Sequence, residues 1–200
     1  MDYIVWVMIG YFSGSIPTGY WIGRLKGIDL RSVGSGSTGA TNVLRAVGKG
    51  PALLTLIIDI LKGFLPVFLA MKITGDNFIV VLVSITCIVG HSKSIFLSFK
   101  GGKSSATGLG VLIGISPLVA FISFSIWLVV VFVSKYSSLG SLIAVPLVPV
   151  WFYIFHKPPI YILFGIFIAV YIVLIRHREN IKRLIEGKEP KIGEKINSKK

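Results

Sequence analysis

Apolar runs long enough to cross a membrane alternate along this chain with short stretches rich in lysine, arginine, glycine and serine. The runs are residues 3–23, 51–71, 78–96, 104–134, 139–155 and 159–175. About 20 helical residues cross a hydrocarbon core ~30 Å thick, so most of these runs predict one helix each. Residues 104–134 are uncharged throughout, and as one helix would reach roughly 46 Å, well beyond that core. Ser116-Pro117 supplies a break, because the residue before a proline is pushed away from helical backbone.

Charge then orders the runs. The loop 24–50 carries Arg24, Lys26, Arg31, Arg45 and Lys49 against Asp29, so it is expected on the cytoplasmic side, with Asp2 at the outer end of the first span. Residues 74–77 form a short outer turn. The tail, 176–200, has nine cations against four glutamates and is also expected inside. An outer N-terminus and an inner C-terminus need an odd number of crossings, which makes residues 104–134 a hairpin of two short helices and the total seven. Eighteen of the 21 lysines and arginines then lie on the inner side. The expected fold is an all-α polytopic membrane protein of seven transmembrane helices, with a short hairpin turning near Pro117. It is read as one domain over 1–200 with a basic cytoplasmic tail at 176–200, and the first run as a retained helix.

Composition agrees: 54% hydrophobic residues and a mean hydropathy of +0.82 exclude an ordinary soluble domain. A net charge of +13 would suggest nucleic acid in a soluble protein. Here it belongs to positive-inside loops and anionic lipid heads, and no nucleic-acid partner is expected. The lone Cys87, inside an apolar run, reads as a packed thiol.

Three polar clusters fall on the inner face. The first, Arg31-Ser-Val-Gly-Ser-Gly-Ser-Thr-Gly-Ala-Thr-Asn-Val-Leu-Arg45, combines glycines, hydroxyls and two bracketing arginines, a composition suited to an oxyanion. The second runs over residues 90–107 and contains Lys93, Lys100, Gly101, Gly102 and Lys103. The third is Arg176-His-Arg-Glu-Asn-Ile-Lys-Arg183. Converging at one interface, they describe a site for a small, strongly anionic ligand beside lipid. Gly34-Ser-Gly-Ser-Thr-Gly39 fits a dinucleotide fingerprint, but membrane spans flank it where a βαβ unit is required. Gly102-Lys-Ser104 resembles a P-loop end, yet Leu97 stands where the first glycine belongs. No Gly-x-Ser-x-Gly elbow and no His-x4-Asp pattern is present, so a nucleophile triad is not supported.

Asp59 and Lys62 are three apart on one face of the second span and read as an ion pair facing the protein interior, in preference to ligand contacts. His91 reads as structural. Two roles are open to His177: hydrogen bonding to ligand or nearby backbone, and helix capping.

In these clusters the chain resembles the PlsY family, the bacterial acyl-phosphate:glycerol-3-phosphate acyltransferases. The resemblance rests on Gly34-Ser-Gly-Ser-Thr-Gly-Ala-Thr-Asn42 with Arg45, Asp59-x-x-Lys-Gly63, Phe99-Lys-Gly-Gly-Lys103 with Ala106-Thr107, and Arg176-His-Arg-Glu-Asn-Ile181. It covers nearly the full chain and departs at Ser37 and Ser104, where the family usually has Asn and Gly. It implies transfer of a fatty acyl group from acyl phosphate to the sn-1 hydroxyl of glycerol 3-phosphate, giving lysophosphatidic acid and phosphate, the first acylation of phospholipid synthesis. It further implies a bacterial inner-membrane enzyme, monomeric, working at the cytoplasmic face among membrane lipids without metal or cofactor.

Acyl phosphate carries a good leaving group, so positioning and charge stabilisation can replace an enzyme nucleophile. On this reading Lys103 and Arg45 clamp the acceptor phosphate and Ser35 and His177 hydrogen-bond its oxygens. Thr41, Asn42, Ser138, Ser141 and Asn180 are candidates for the donor phosphate, with Gly36, Gly101 and Gly102 as further substrate-binding positions. No base is visible in the sequence, and a substrate phosphate oxygen is one candidate. A small phosphate-metabolite transporter and a membrane scaffold are the competing classes. The placement of all three clusters on one face, not at mid-membrane, speaks against transport.

Overall fold

The computed structural model describes residues 3–194. Asp2 and the tail cations Lys195, Lys199 and Lys200 lie outside the described residues.

Every regular element described is helical. Helix α1 spans Tyr3–Ser15 and α2 spans Thr18–Leu25. The sequence suggested one span here, but Pro17 lacks an N–H and bars Ile16 from helical backbone, so the run divides in two. A short helix α3, Ala40–Ala46, lies in the basic loop, followed by α4, Lys49–Thr74, and α5, Asn77–Ser92. The turn between α4 and α5 is built by local chemistry. Gly75 takes a left-handed φ of +62°, and the Asp76 carboxylate accepts from the Phe78 N–H at 2.8 Å.

Helices α6, Ser105–Ile115, and α7, Pro117–Ser134, meet at Ser116. The expected break at Pro117 is present, with the proline at the first turn of α7, where a missing N–H is harmless. The two arms are unequal. Helix α6 is short, while α7 is long enough to cross on its own. Then come α8, Ser137–Ala144, and α9, Val148–Ile154, joined through the 3-10 turn Val145–Leu147. Helix α10, Pro159–Ala169, runs on as a π-helix over Val170–Arg176, and α11, Arg178–Ile185, follows. Among the described residues five stretches are long and apolar enough to cross a membrane: Lys49–Thr74, Asn77–Leu97, Pro117–Ser134, Ser137–Ile154 and Pro159–Arg176. Helices α1 and α6 fall below that length.

The core is packed from Val67, Ile79, Val83, Ile88, Val111, Val119, Phe152, Phe164, Ile168 and Ile172, all buried. Glycine sets the closest approach. A Cβ at Gly63 would meet the Thr107 carbonyl and one at Gly110 the Ile60 carbonyl, so α4 and α6 can touch backbone to backbone. The outside is apolar as well. Phe121, Phe132, Val133, Tyr153 and Leu163 are each more than two-thirds exposed. Such surface is unfavourable in water at about 25 cal/mol per Å² but matches lipid tails.

The two ends of the bundle differ. At one, the Tyr161 hydroxyl donates to Asn77 Oδ1 at 2.7 Å and Tyr3 meets Phe78 edge-on. At the other, Ser94 Oγ donates to the Ser15 carbonyl at 2.6 Å, and the three polar clusters gather there.

Candidate active site

Three helix starts meet at one cavity. Helix α3 begins after Gly39, α6 after Ser104 and α8 after Tyr136, and no side chain caps any of them. The first N–H groups of a helix have no partner within it and sit at the positive end of the helix dipole, which suits a phosphate. Gly39 to Asn42, Ser104 to Ala106, and Ser137 with Ser138 all line a single cavity of about 780 Å³.

The glycine-rich loop before α3 is held by one amide. Asn42, fully buried, shares its Nδ2 hydrogens among the carbonyls of Leu30, Val33 and Ser37 at 2.9–3.1 Å, and its Oδ1 accepts from the Ser35 N–H at 3.1 Å. Gly34 and Gly36 turn the loop with φ of +59° and +65°. Asn42 was expected to hold the donor phosphate. Its polar atoms are instead spent on the loop that presents Ser35.

Lys103 is placed by packing at the di-glycine. The N–H groups of Gly101 and Gly102 donate to the carbonyls of Ser92 and His91, while Arg176 Nη2 donates to the carbonyls of Gly101 and Gly102 at 3.3 and 2.8 Å. A Cβ at Gly102 would run into the His91 ring. Gly36, Gly101 and Gly102 therefore do not line the cavity as expected from sequence; they let backbone turn or pass closely beside it. Ser35, Thr41, Asn42, Arg45, Lys103, Ser138, Ser141, His177 and Asn180 do line it.

Burial, then the positive charges of Arg183, Arg45 and Arg176, bring the Lys103 ammonium down to about 8, with Glu189 opposing. Arg45 is buried; its Nη2 donates to the Pro190 carbonyl at 2.7 Å, and its Nε has no partner among the described residues. Asn180 donates through Nδ2 to Glu189 Oε1 at 2.6 Å, while its Oδ1 is likewise unpartnered. Buried polar atoms left this way in a cavity wall mark a place for a ligand.

His177 sits where the π-helix ends. Its Nδ1 is 2.9 Å from the Ile172 carbonyl, which can only accept, so Nδ1 carries the hydrogen and Nε2 the lone pair. Burial lowers its pKa to about 4, so the ring is neutral at ordinary pH. No side-chain cap is made to α11, but the Nδ1 contact satisfies a last-turn carbonyl of the preceding π-helix, so the ring caps that helix end while Nε2 is left for a ligand. Thr41 Oγ1 lies 3.3 Å from Ser137 Oγ, and Ser141 Oγ donates to Ser105 Oγ at 3.2 Å. Hydroxyl bonds are strongest near 2.7–2.8 Å, so these long contacts are easily exchanged for a phosphate oxygen. Ser138 differs: its hydroxyl hydrogen goes to Glu189 at 2.7 Å.

Below this polar mouth the cavity is apolar, lined by Leu53, Leu56, Leu109, Ile113, Phe121 and Trp127 among others. Asp59 and His91 reach its side, with Asp59 paired to Lys62 at 2.7 Å in the buried ion pair the spacing suggested. Sequence reasoning placed Ser105, Arg176 and Arg183 in the polar clusters without roles of their own, and gave no place in the site to Ser137 or Glu189. The serines open helices whose boundaries the hydropathy does not fix, and Glu189 is one carboxylate within a cationic tail.

A membrane bundle that gathers cations, hydroxyls and three helix starts at the mouth of an apolar cavity defines an integral membrane protein whose site has the chemistry for a phosphate at its mouth and an apolar interior below it. The glycerol-3-phosphate acyltransferase family model matches residues 4–187, and the chain belongs to that family. A glycerol-3-phosphate acyltransferase of Synechococcus sp. (strain JA-3-3Ab) is 49% identical over 187 residues, covering 93% of this chain and 91% of the relative. Glycerol-3-phosphate acyltransferase 2 of Moorella thermoacetica is 46% identical over 190 residues, 94% of this chain and 97% of the relative. Among solved structures, the glycerol 3-phosphate form of PlsY (YgiH), an integral membrane glycerol 3-phosphate acyltransferase, is similar with a TM-score of 0.92 and 40% identity, covering 96% of each chain. The lysophosphatidic acid form of PlsY follows at 0.88 and 38%, covering 96% of this chain and 95% of that one.

Proposed function

We propose that this protein moves a fatty acyl group from acyl phosphate to the sn-1 hydroxyl of glycerol 3-phosphate, as a single-domain, monomeric enzyme of the bacterial inner membrane. Seven crossings, with α1 and α6 as the short ones, bring the site to the cytoplasmic face. The observation that carries this reading is the cavity itself, with a polar end made for phosphates and an apolar end made for an acyl chain. The solved relative's glycerol 3-phosphate and lysophosphatidic acid forms support the acceptor and the product.

The reaction needs no enzyme-bound intermediate. The glycerol oxygen bonds to the acyl carbonyl carbon, the carbon–oxygen bond to phosphate breaks, and phosphate leaves with that electron pair. The hydroxyl proton passes to a substrate phosphate oxygen, whose second pKa near 6 makes it a better base at pH 7 than the His177 ring. Lys103 and Arg45 hold the acceptor phosphate, Ser35 and the His177 Nε2 orient its glycerol, and Thr41, Ser141 and the free N–H groups of α6 and α8 receive the donor phosphate. Ser138 and Asn180 stand behind them. Bringing two repelling anions together in one orientation supplies most of the acceleration.

The test is purified protein with palmitoyl phosphate and glycerol 3-phosphate, without metal or coenzyme A. Lysophosphatidic acid formed in step with phosphate supports the reading. Activity only with palmitoyl-coenzyme A overturns the donor assignment, and inactivity with both, beside glycerol 3-phosphate uptake into proteoliposomes, overturns the enzyme.

A further inference from the structure

Glu189 is a carboxylate set inside a site for anions. Gly187, with φ of +66°, reverses the chain after α11, and the following residues fold back across the cavity mouth. Glu189 Oε1 accepts from Ser138 Oγ at 2.7 Å and from Asn180 Nδ2 at 2.6 Å, and Oε2 accepts from Arg183 Nε at 2.7 Å. Beside it, the Pro190 carbonyl accepts from Arg45, and the Ile192 N–H donates to the Lys135 carbonyl at 2.8 Å. One short segment thus ties the last turn of α3, the start of α8 and α11 together. Glu189 is only 7% exposed, although it belongs to the most cationic stretch of the chain.

A buried carboxylate is unfavourable unless its oxygens are satisfied, and here three donors meet that need. A plain latch would not require a charge at the cavity wall, nor the same two side chains, Ser138 and Asn180, that line the cavity. We propose that Glu189 is a positioning residue for acyl transfer: its carboxylate fixes the orientation of Ser138, Asn180 and Arg183 and balances the guanidinium groups gathered around Lys103. The inference rests on the phosphate-binding reading above and adds a residue to it.

Two consequences separate this role from mere structure. With Nδ2 held by Glu189, the Asn180 amide can turn only its remaining N–H and its Oδ1 to a ligand, so Glu189 decides which face of Asn180 the substrate meets. The charges around Lys103 are Arg45 on α3, Arg176 at the π-helix end, Arg183 on α11 and Glu189, with His177 neutral. Glu189 is the negative member. Removing its charge leaves Lys103 among three guanidiniums, and the ammonium should release its proton at lower pH.

The experiment compares wild type, Glu189→Gln and Glu189→Asp in membrane level, thermal unfolding, kcat, KM and the pH profile of kcat/KM, with palmitoyl phosphate and glycerol 3-phosphate. Glu189→Gln keeps an acceptor for Ser138 and Asn180 but loses the charge. The expected result is kcat lower by roughly tenfold to a hundredfold, the scale of a 1 Å misplacement, with the basic limb moved below that of wild type. Glu189→Asp keeps the charge but is one methylene too short to meet all three donors, so kcat should fall while the limb stays. If assembled Glu189→Gln shows wild-type constants and limb, the inference is overturned. Should Glu189→Gln fail to assemble, Glu189→Asp decides alone: wild-type kcat in that variant also overturns it. An inactive wild type would instead refute the reaction proposed above and would be seen before any variant is compared.

Discussion

The sharpest test of the site is the charge on Lys103. Burial and three neighbouring guanidiniums bring its ammonium to about 8, more than two units below the 10.5 of a free lysine. At pH 7 about 90% of the molecules carry that charge and at pH 9 about 10% do. If the charged form alone binds the acceptor phosphate productively, kcat/KM for glycerol 3-phosphate should drop about tenfold between those two values. Initial rates of phosphate release from palmitoyl phosphate, with glycerol 3-phosphate below its KM, measure this directly. Lys103→Arg keeps a positive charge at every accessible pH. Its activity should be lower, since a planar fork replaces a compact ammonium, but its profile should be flat where wild type declines. The acid limb, set by the substrate phosphate near pH 6, should be common to both. A basic limb unchanged in Lys103→Arg would refute the assignment. Stability follows the same proton with a fixed sign. Lys103 binds fewer protons folded than unfolded between about 8 and 10.5, so its unfavourable contribution is full below 8 and relieved as pH rises through that window. Bound phosphate restores the proton, so acceptor binding at pH 9 should take up protons, visible as a buffer-dependent heat.

Three further outcomes follow from single contacts. Lys103→Ala should abolish turnover at normal membrane level, because the phosphate clamp loses its cation, and near-normal rates at equal protein would contradict the clamp. Asp59→Asn leaves Lys62 buried without its counter-charge and should destabilise the fold by about 3–5 kcal/mol; thermal unfolding in detergent should show Asp59→Leu with Lys62→Met to be the milder change. Gly101→Ala would drive a Cβ into the His91 carbonyl, so the loop carrying Lys103 must move. Activity lowered by tens of fold, with unfolding easier by about 1–3 kcal/mol, is expected from kinetics and unfolding measured together.

Much of this was legible in the sequence, and the reasons differ by element. Charge separation and run length located the long spans, and the Ser116-Pro117 break followed from proline sterics alone. The division at Ile16 and Pro17 was equally available, yet an uncharged run hides it because hydropathy does not register a missing N–H. Side-chain type located nine of the residues that line the cavity. It could not tell a ligand contact from a scaffold: Asn42 looks like a contact for the donor phosphate until its amide is seen spent on three carbonyls. Glu189 was invisible because its role depends on how the chain folds back after Gly187, which no periodicity encodes.

Ser104 shows how such a departure can be judged by physics. It takes a left-handed φ of +65° at the start of α6, where glycine would be free of the steric penalty of about 1–2 kcal/mol. In return its hydroxyl donates to the Ile88 carbonyl at 2.8 Å, a buried bond worth about 1 kcal/mol net. The two effects nearly cancel, so Ser104→Gly should leave stability within about 1 kcal/mol of wild type. Ser104→Ala keeps the backbone strain and loses the bond, and should unfold about 1 kcal/mol more easily, a drop of roughly 2–4 °C. Equal melting temperatures for Ser104→Ala and wild type would mean that the hydroxyl contributes nothing at this position. The strain would then stand uncompensated, and Ser104→Gly should be the more stable protein.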